Sequence, residues 1–121
     1  ENTIYVSSVV GNQFEHLDFL KRIIGRKRAI RLVVEQLNIF RNAKTVRTLL
    51  LKTGFIAFSI SKDVEFVPTS TPRKWLGCKS KQEVFDLLKT YCKNNDESDA
   101  LALLLYTIKK KENEVQIERV Y

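Results

Sequence analysis

The chain has 121 residues, the length of one compact domain, and 44% of them are hydrophobic, which provides a core and excludes an intrinsically disordered chain. Lys and Arg number 21 against 14 Asp and Glu; the net charge of +7 fits an anionic partner, nucleic acid first, with simple solubility as the plain alternative. No apolar run reaches the roughly 18 residues of a membrane span and no stretch reads as a cleaved signal peptide, so a cytoplasmic protein with no membrane partner is expected.

Residues 3–10 (TIYVSSVV) are rich in β-branched side chains and stop at Gly11-Asn12, the pattern of a strand and its turn. Residues 14–25 place Phe14, Leu17, Leu20, Ile23 and Ile24 at helical spacing, with Gly25 near the stop and a basic end of Lys21, Arg22, Arg26, Lys27 and Arg28. Residues 29–37 (AIRLVVEQL) form a strand so apolar that a central position, buried on both faces, is expected. Residues 40–43 are a loop in which Asn42 can cap the next helix. That helix starts at residues 44–52, with Val46, Leu49 and Leu50 on its apolar side, and continues through Gly54 into residues 55–60. Residues 64–67 read as a strand stopped by Pro68, followed by a loop in which Ser70 or Thr71 caps and Pro72 occupies a first turn.

Residues 73–76 are a short helix or turn ended by Gly77. Residues 80–92 predict a helix, in which Ser80 and Glu83 fit a capping box and Val84, Leu87, Leu88 and Tyr91 line one side. Residues 93–95 connect it to a helix opening at Asp96, and residues 114–120 alternate weakly as a last strand or a tail. Alternating strands and helices predict an α/β fold with a mainly parallel sheet.

The acids concentrate where the basic residues do not. Basic side chains cluster in residues 21–31, 41–52, 73–81 and 109–111, whereas Asp96 and Asp99 stand together ahead of the apolar run at residues 100–106. At i, i+3 the two carboxylates share one helix face. Two readings follow: helix capping, with Asp96 as the cap and Asp99 completing the first turn, or a site for a hard, oxygen-preferring divalent cation. Glu35 is the third informative acid, because a carboxylate inside an apolar strand must be paired, protonated or bound to metal. Its plain reading is a partner for a nearby Arg or Lys. Zinc is rejected, since Cys78 and Cys92 lie 14 apart and His16 is the only histidine; reduced thiols are expected for both cysteines. Trp75, beside Arg73 and Lys74, reads first as a packing anchor and second as a stacking surface for an unpaired base.

Three blocks, in order, resemble the RuvC-type Holliday-junction resolvases of the ribonuclease H-like nuclease superfamily. Residues 33–58 (VVEQLNIFRNAKTVRTLLLKTGFIAF) look like the family's acid-bearing strand, loop and long helix; residues 67–84 (VPTSTPRKWLGCKSKQEV) look like its strand, Thr-Pro turn, Gly loop and lysine-led helix; residues 96–106 (DESDALALLLY) are similar to its Asp-x-x-Asp-Ala-Leu-Ala helix. The resemblance spans about residues 4–106. It implies one ribonuclease H-like domain over residues 1–121, with a mixed central sheet and helices on both faces. Glu35, Asp96 and Asp99 match catalytic, metal-binding carboxylates, and Lys81 matches a basic residue near the scissile phosphate. Lys74 matches a second one, and Arg73, Lys79, Arg41, Lys44 and Arg47 complete the basic surface expected to contact DNA. The cofactor implied is Mg²⁺, with Mn²⁺ able to substitute. The partners implied are branched DNA and a second copy of the chain in a homodimer.

One departure stands out. The family's first strand carries an Asp-x-Gly motif, and none occurs here. If residues 3–10 match the family's third strand, the missing aspartate precedes Glu1; if they match the first, Ser7 or Ser8 replaces it. The expected activity is two-metal cleavage of phosphodiester bonds in branched DNA. The alternatives are a non-catalytic nucleic-acid-binding module on the same fold and a related nuclease with another substrate.

Overall fold

The computed structural model describes residues 3–25, 31–36, 43–61 and 63–119. The chain is a small α/β protein. It divides into two compact units, one of residues 1–8 and 67–121, the other of residues 9–66.

In the first unit, β1 (Thr3–Val6) pairs in parallel with β4 (Gln116–Arg119), in the register Thr3 to Gln116 through Val6 to Arg119. Side chains alternate across a strand, so Ile4 and Val6 are buried while Tyr5 faces out. Three helices pack beneath this pair: α3 (Ser70–Trp75), α4 (Lys81–Leu88) and α5 (Asn95–Ile108). Val84 and Leu88, one turn apart on α4, meet Leu101, Ala102 and Leu105 of α5 around Ile4, Val6 and Cys92. Burying aliphatic side chains in this way stabilises a core by about 1.5–3 kcal/mol each.

Both longer helices of this unit begin on polar caps. Ser80 Oγ accepts the Glu83 N–H at 3.2 Å, and Glu83 Oε1 accepts the N–H of Lys79 at 3.1 Å. The Ser80 half of the predicted box is therefore present, whereas Glu83 answers on Lys79, one residue before the cap, and not on Ser80 as a capping box requires. The helix stops at Leu88, short of the predicted residue 92, and Tyr91 turns back with its N–H on the Leu88 carbonyl. The predicted first strand likewise ends early, at Val6, the last residue in register with β4.

The end of α5 is closed by Lys109, whose φ of 58° and ψ of 42° are left-handed. The Lys109 N–H bonds the Tyr106 carbonyl at 3.2 Å and the Lys110 N–H bonds the Leu105 carbonyl at 3.1 Å, the pairing of a Schellman cap. A short 3-10 turn at Glu112–Glu114 then leads into β4.

In the second unit, α1 (Gln13–Ile24) packs with α2 (Ala43–Ile60), and β2 (Arg31–Gln36) is hydrogen-bonded to β3 (Asp63–Pro68), of which residues 63–66 belong to this unit. Asn12 caps α1 with its side chain on the N–H groups of Phe14 and Glu15, and Glu15 answers on the Asn12 N–H. Phe14 meets Phe55 edge to face, with ring centroids 5.6 Å apart, and Arg31 pairs with Glu65 across the strands. As expected, α2 runs unbroken through Gly54.

Among the described residues the strands form two two-stranded sheets in place of one mixed central sheet. The expectation of a central strand buried on both faces is corrected at β2. It has one described neighbour, its inner residues are only half-buried, and Arg31 and Gln36 at its ends are exposed. The predicted cap Asn42, the basic residues Arg26, Lys27 and Arg28, and the outer residues of that strand lie outside the described residues.

Candidate metal and phosphate site

The N-terminal end of α5 is built from the sequence NNDESD, which offers several capping residues in succession. The structure selects Asn94: its Oδ1 accepts the Glu97 N–H at 2.8 Å. The expectation that Asp96 caps the helix is thereby corrected. Asp96 lies in the first turn, where a carboxylate still complements the partial positive charge of the helix end. It is exposed.

Asp99, one turn on, is the better-seated member of the pair. Only 9% of its side chain is exposed, and Lys81 Nζ lies 3.2 Å from Asp99 Oδ2. Lys81 is the first residue of α4 and is itself 49% exposed. The fold thus joins two of the expected site residues, one from each helix, in a single ion pair.

The buried acid of this unit is one that the sequence reading passed over. Glu97 is 1% exposed and stands between the two aspartates in sequence. Ser8 Oγ donates to Glu97 Oε2, the Lys93 N–H donates to Glu97 Oε1 at 3.0 Å, and Arg119 closes an ion pair with the same oxygen. Burial alone would push this carboxyl up; the Ser8 hydroxyl, the Lys93 N–H and the Arg119 guanidinium outweigh it and hold it below the usual value. Glu97 therefore ties the helix start to the segment after β1 and to the end of β4. Both of its oxygens are taken by these partners, and its role is structural. The spacing Asn94-x-x-Glu97 was the available signal, a capping-box pattern; Ser8 and Arg119 are too distant in sequence to be read from it.

The remaining expected residues fall as follows. Glu35 lies in β2 of the second unit and is half-buried, not the fully buried carboxylate anticipated, because β2 lacks cover on both faces. Lys44 and Arg47 are exposed on α2 of that unit, and Arg41 lies outside the described residues. In the first unit, Lys74 and Lys79 are exposed and Arg73 is half-buried, its Nε without a hydrogen-bond partner. Among the described residues, no three His, Cys, Asp or Glu side chains gather as a metal-ligand group.

Trp75 is a packing residue. It is half-buried against the core and meets Tyr106 edge to face at 6.1 Å. Lys111 Nζ sits 3.9 Å from the Trp75 ring centre and donates to the Trp75 carbonyl at 2.8 Å, and Lys109 Nζ sits 3.5 Å from that of Tyr106. Two lysines of the basic cluster at residues 109–111 thus cover two aromatic rings. Cys78 and Cys92 are both free thiols; burial, with the Glu97 carboxylate adding to it, pushes Cys92 up to about 11.

No described helix is long and apolar enough to cross a membrane. Comparison with protein-family models and with curated proteins finds no match to this chain.

Proposed function

We propose that this chain is a divergent, metal-dependent endonuclease of the RuvC-type resolvase kind, on a ribonuclease H-like fold, acting on branched DNA. The observation that carries the reading is the ion pair of Lys81 with Asp99, one turn after Asp96. An acid pair on one helix and a lysine opening the preceding helix are what the sequence resemblance calls for. A general surface ion pair needs neither the second acid nor a lysine at a helix N-terminus.

The donor set fits magnesium. Mg²⁺ is commonly held by one or two carboxylates together with waters and substrate phosphate oxygens. Asp96 and Asp99 would supply two hard oxygen ligands from one helix face. Glu35 enters as a third carboxylate on the resemblance alone. When bound, magnesium would supply water activation and charge neutralisation for phosphodiester hydrolysis. Lys74, Lys79, Arg73 and Lys81 would hold the phosphate backbone, a contact that positions DNA with little sequence information. A homodimer would present two such sites for symmetric cuts.

The test is a substrate panel with Mg²⁺ or Mn²⁺: a labelled four-way junction, a flap, plain duplex and an RNA–DNA hybrid. The reading expects paired nicks near the branch point of the junction and weaker or no cutting of plain duplex. Cutting confined to the flap or hybrid would move the substrate within the superfamily. The second reading is a non-catalytic DNA-binding module that uses the same exposed Lys74 and Lys79. It expects tight junction binding without nicks.

A further inference from the structure

We infer that the exposed side of α2 is a platform for unpaired bases, so that the chain holds nucleic acid where its strands open. This rests on the nuclease reading above and adds the feature of the substrate that is recognised. The juxtaposition that carries it is a run of exposed basic side chains continued, on the same helical stripe, by exposed aromatic ones.

Lys44, Arg47, Leu51, Phe55 and Phe58 recur along α2 at intervals of three or four residues, which places them on one stripe. All five are exposed, Leu51 by 70% and Phe58 by 64%. The stripe is basic in its first half and apolar in its second. Phe14 of α1, itself 59% exposed, stands edge to face on Phe55, and the ring centre of Phe66 in β3 lies 6.5 Å from that of Phe58. Four rings thus stand at the surface of residues 9–66, whose buried hydrophobic side chains, among the described residues, are Leu17 and Ala57. Leaving such rings in water forfeits the gain of burying them, and apolar surface of this extent marks an interaction site.

Charge then selects the occupant. Residues 9–66 hold eleven Lys and Arg against five Asp and Glu, which is six of the seven net positive charges of the chain. That charge repels a second copy of the same unit and draws a polyanion. Paired DNA offers phosphates but keeps the faces of its bases inside the stack. An unpaired strand offers both: phosphates to Lys44 and Arg47, and base faces to Phe55 and Phe58. Stacking on aromatic side chains tolerates any sequence, because every base has a flat π face. The platform uses none of Asp96, Asp99 and Lys81 and needs no metal.

The experiment measures binding of a labelled oligothymidylate, and of a labelled duplex of the same length, by fluorescence anisotropy without divalent metal, so that no strand is cut. It uses the full chain and its Phe58→Ala, Phe14→Ala, Phe58→Trp and Arg47→Gln variants, each checked for native circular dichroism. Phe58→Ala is expected to bind the single strand about tenfold more weakly, the effect of losing one stacked base, with its duplex affinity unchanged. Phe14→Ala repeats the test from α1 and should act in the same direction. Phe58→Trp, which keeps a ring, should bind the single strand as tightly as the unsubstituted chain. Arg47→Gln, which removes a phosphate contact, should weaken both ligands alike and lower the salt dependence. Single-strand affinity indifferent to both alanine variants, or an equal loss on duplex, would overturn the platform and leave the nuclease reading in place. So would a chain that binds duplex and not the single strand. A dimer in sedimentation equilibrium that Phe58→Ala splits into monomers would give the face to a second copy and overturn the platform too. A chain that binds no nucleic acid in any form would overturn both.

Discussion

Glu97 shows how one side chain can fix the geometry around a candidate site without belonging to it. Its carboxylate joins Ser8, Lys93 and Arg119, three points separated widely in the chain, and Arg119 is largely buried against it. Removing one partner of a buried pair leaves the other uncompensated, so Glu97→Gln should destabilise the fold by about 3 kcal/mol, read by urea denaturation at neutral pH. The same residue predicts an acid limb. Its folded pKa lies below the unfolded one, so its contribution is fully present above the unfolded value of 4.5 and is lost as pH falls through the folded value. Glu97→Gln should flatten that part of the stability–pH curve; an unchanged acid limb would assign it to other carboxylates. Lys109 offers a second residue-scale test. It bears the strain of a left-handed backbone and covers the Tyr106 ring. Lys109→Ala should lose the ring contact and keep the strain, at a cost of about 1 kcal/mol, whereas Lys109→Gly relieves the strain and should come out near neutral.

At the level of elements, the helices were the most legible part of the sequence. The apolar spacing at Leu17, Leu20 and Ile24 and the Val84–Leu88 pair report one helical face each, and the cap Ser80 lies within four residues of what it binds, whereas Asn12, read as part of a turn, is the cap of α1. Strand placement was less legible. The β1–β4 pairing joins the two ends of the chain, and no local pattern encodes a partner more than a hundred residues away. The apolar run at Leu32, Val33 and Val34 suggested burial on both faces, but hydrophobic composition does not say how many neighbours a strand has. The Asp96–Asp99 pair was read correctly as sharing one helical face, while the choice of cap among Asn94, Asn95 and Asp96 depended on backbone geometry. Gly54 gives the direct element-scale prediction. It sits inside α2, and a Cβ added there would meet nothing within 4 Å. Gly54→Ala should therefore stabilise the protein by about 0.5–1 kcal/mol, visible as a raised thermal midpoint; destabilisation would mean that this face of α2 is covered in solution.

For the whole molecule, the net charge of +7 and the lysines and arginines of α2, α3 and the start of α4 favour a polyanion over a small neutral substrate. The proposed hydrolysis would use the end of the molecule where Lys81 of α4 meets Asp99, one turn after Asp96 on α5. The most direct measurement is nicking of a labelled four-way DNA junction with Mg²⁺, comparing the longest form that the gene encodes with its Asp99→Asn and Glu35→Gln variants. The account predicts metal-dependent paired nicks, reduced by at least about a hundredfold in each variant, as expected when a ligand to the charge-stabilising group is lost. Junction binding with no cleavage, or cleavage that survives Asp99→Asn, would contradict it.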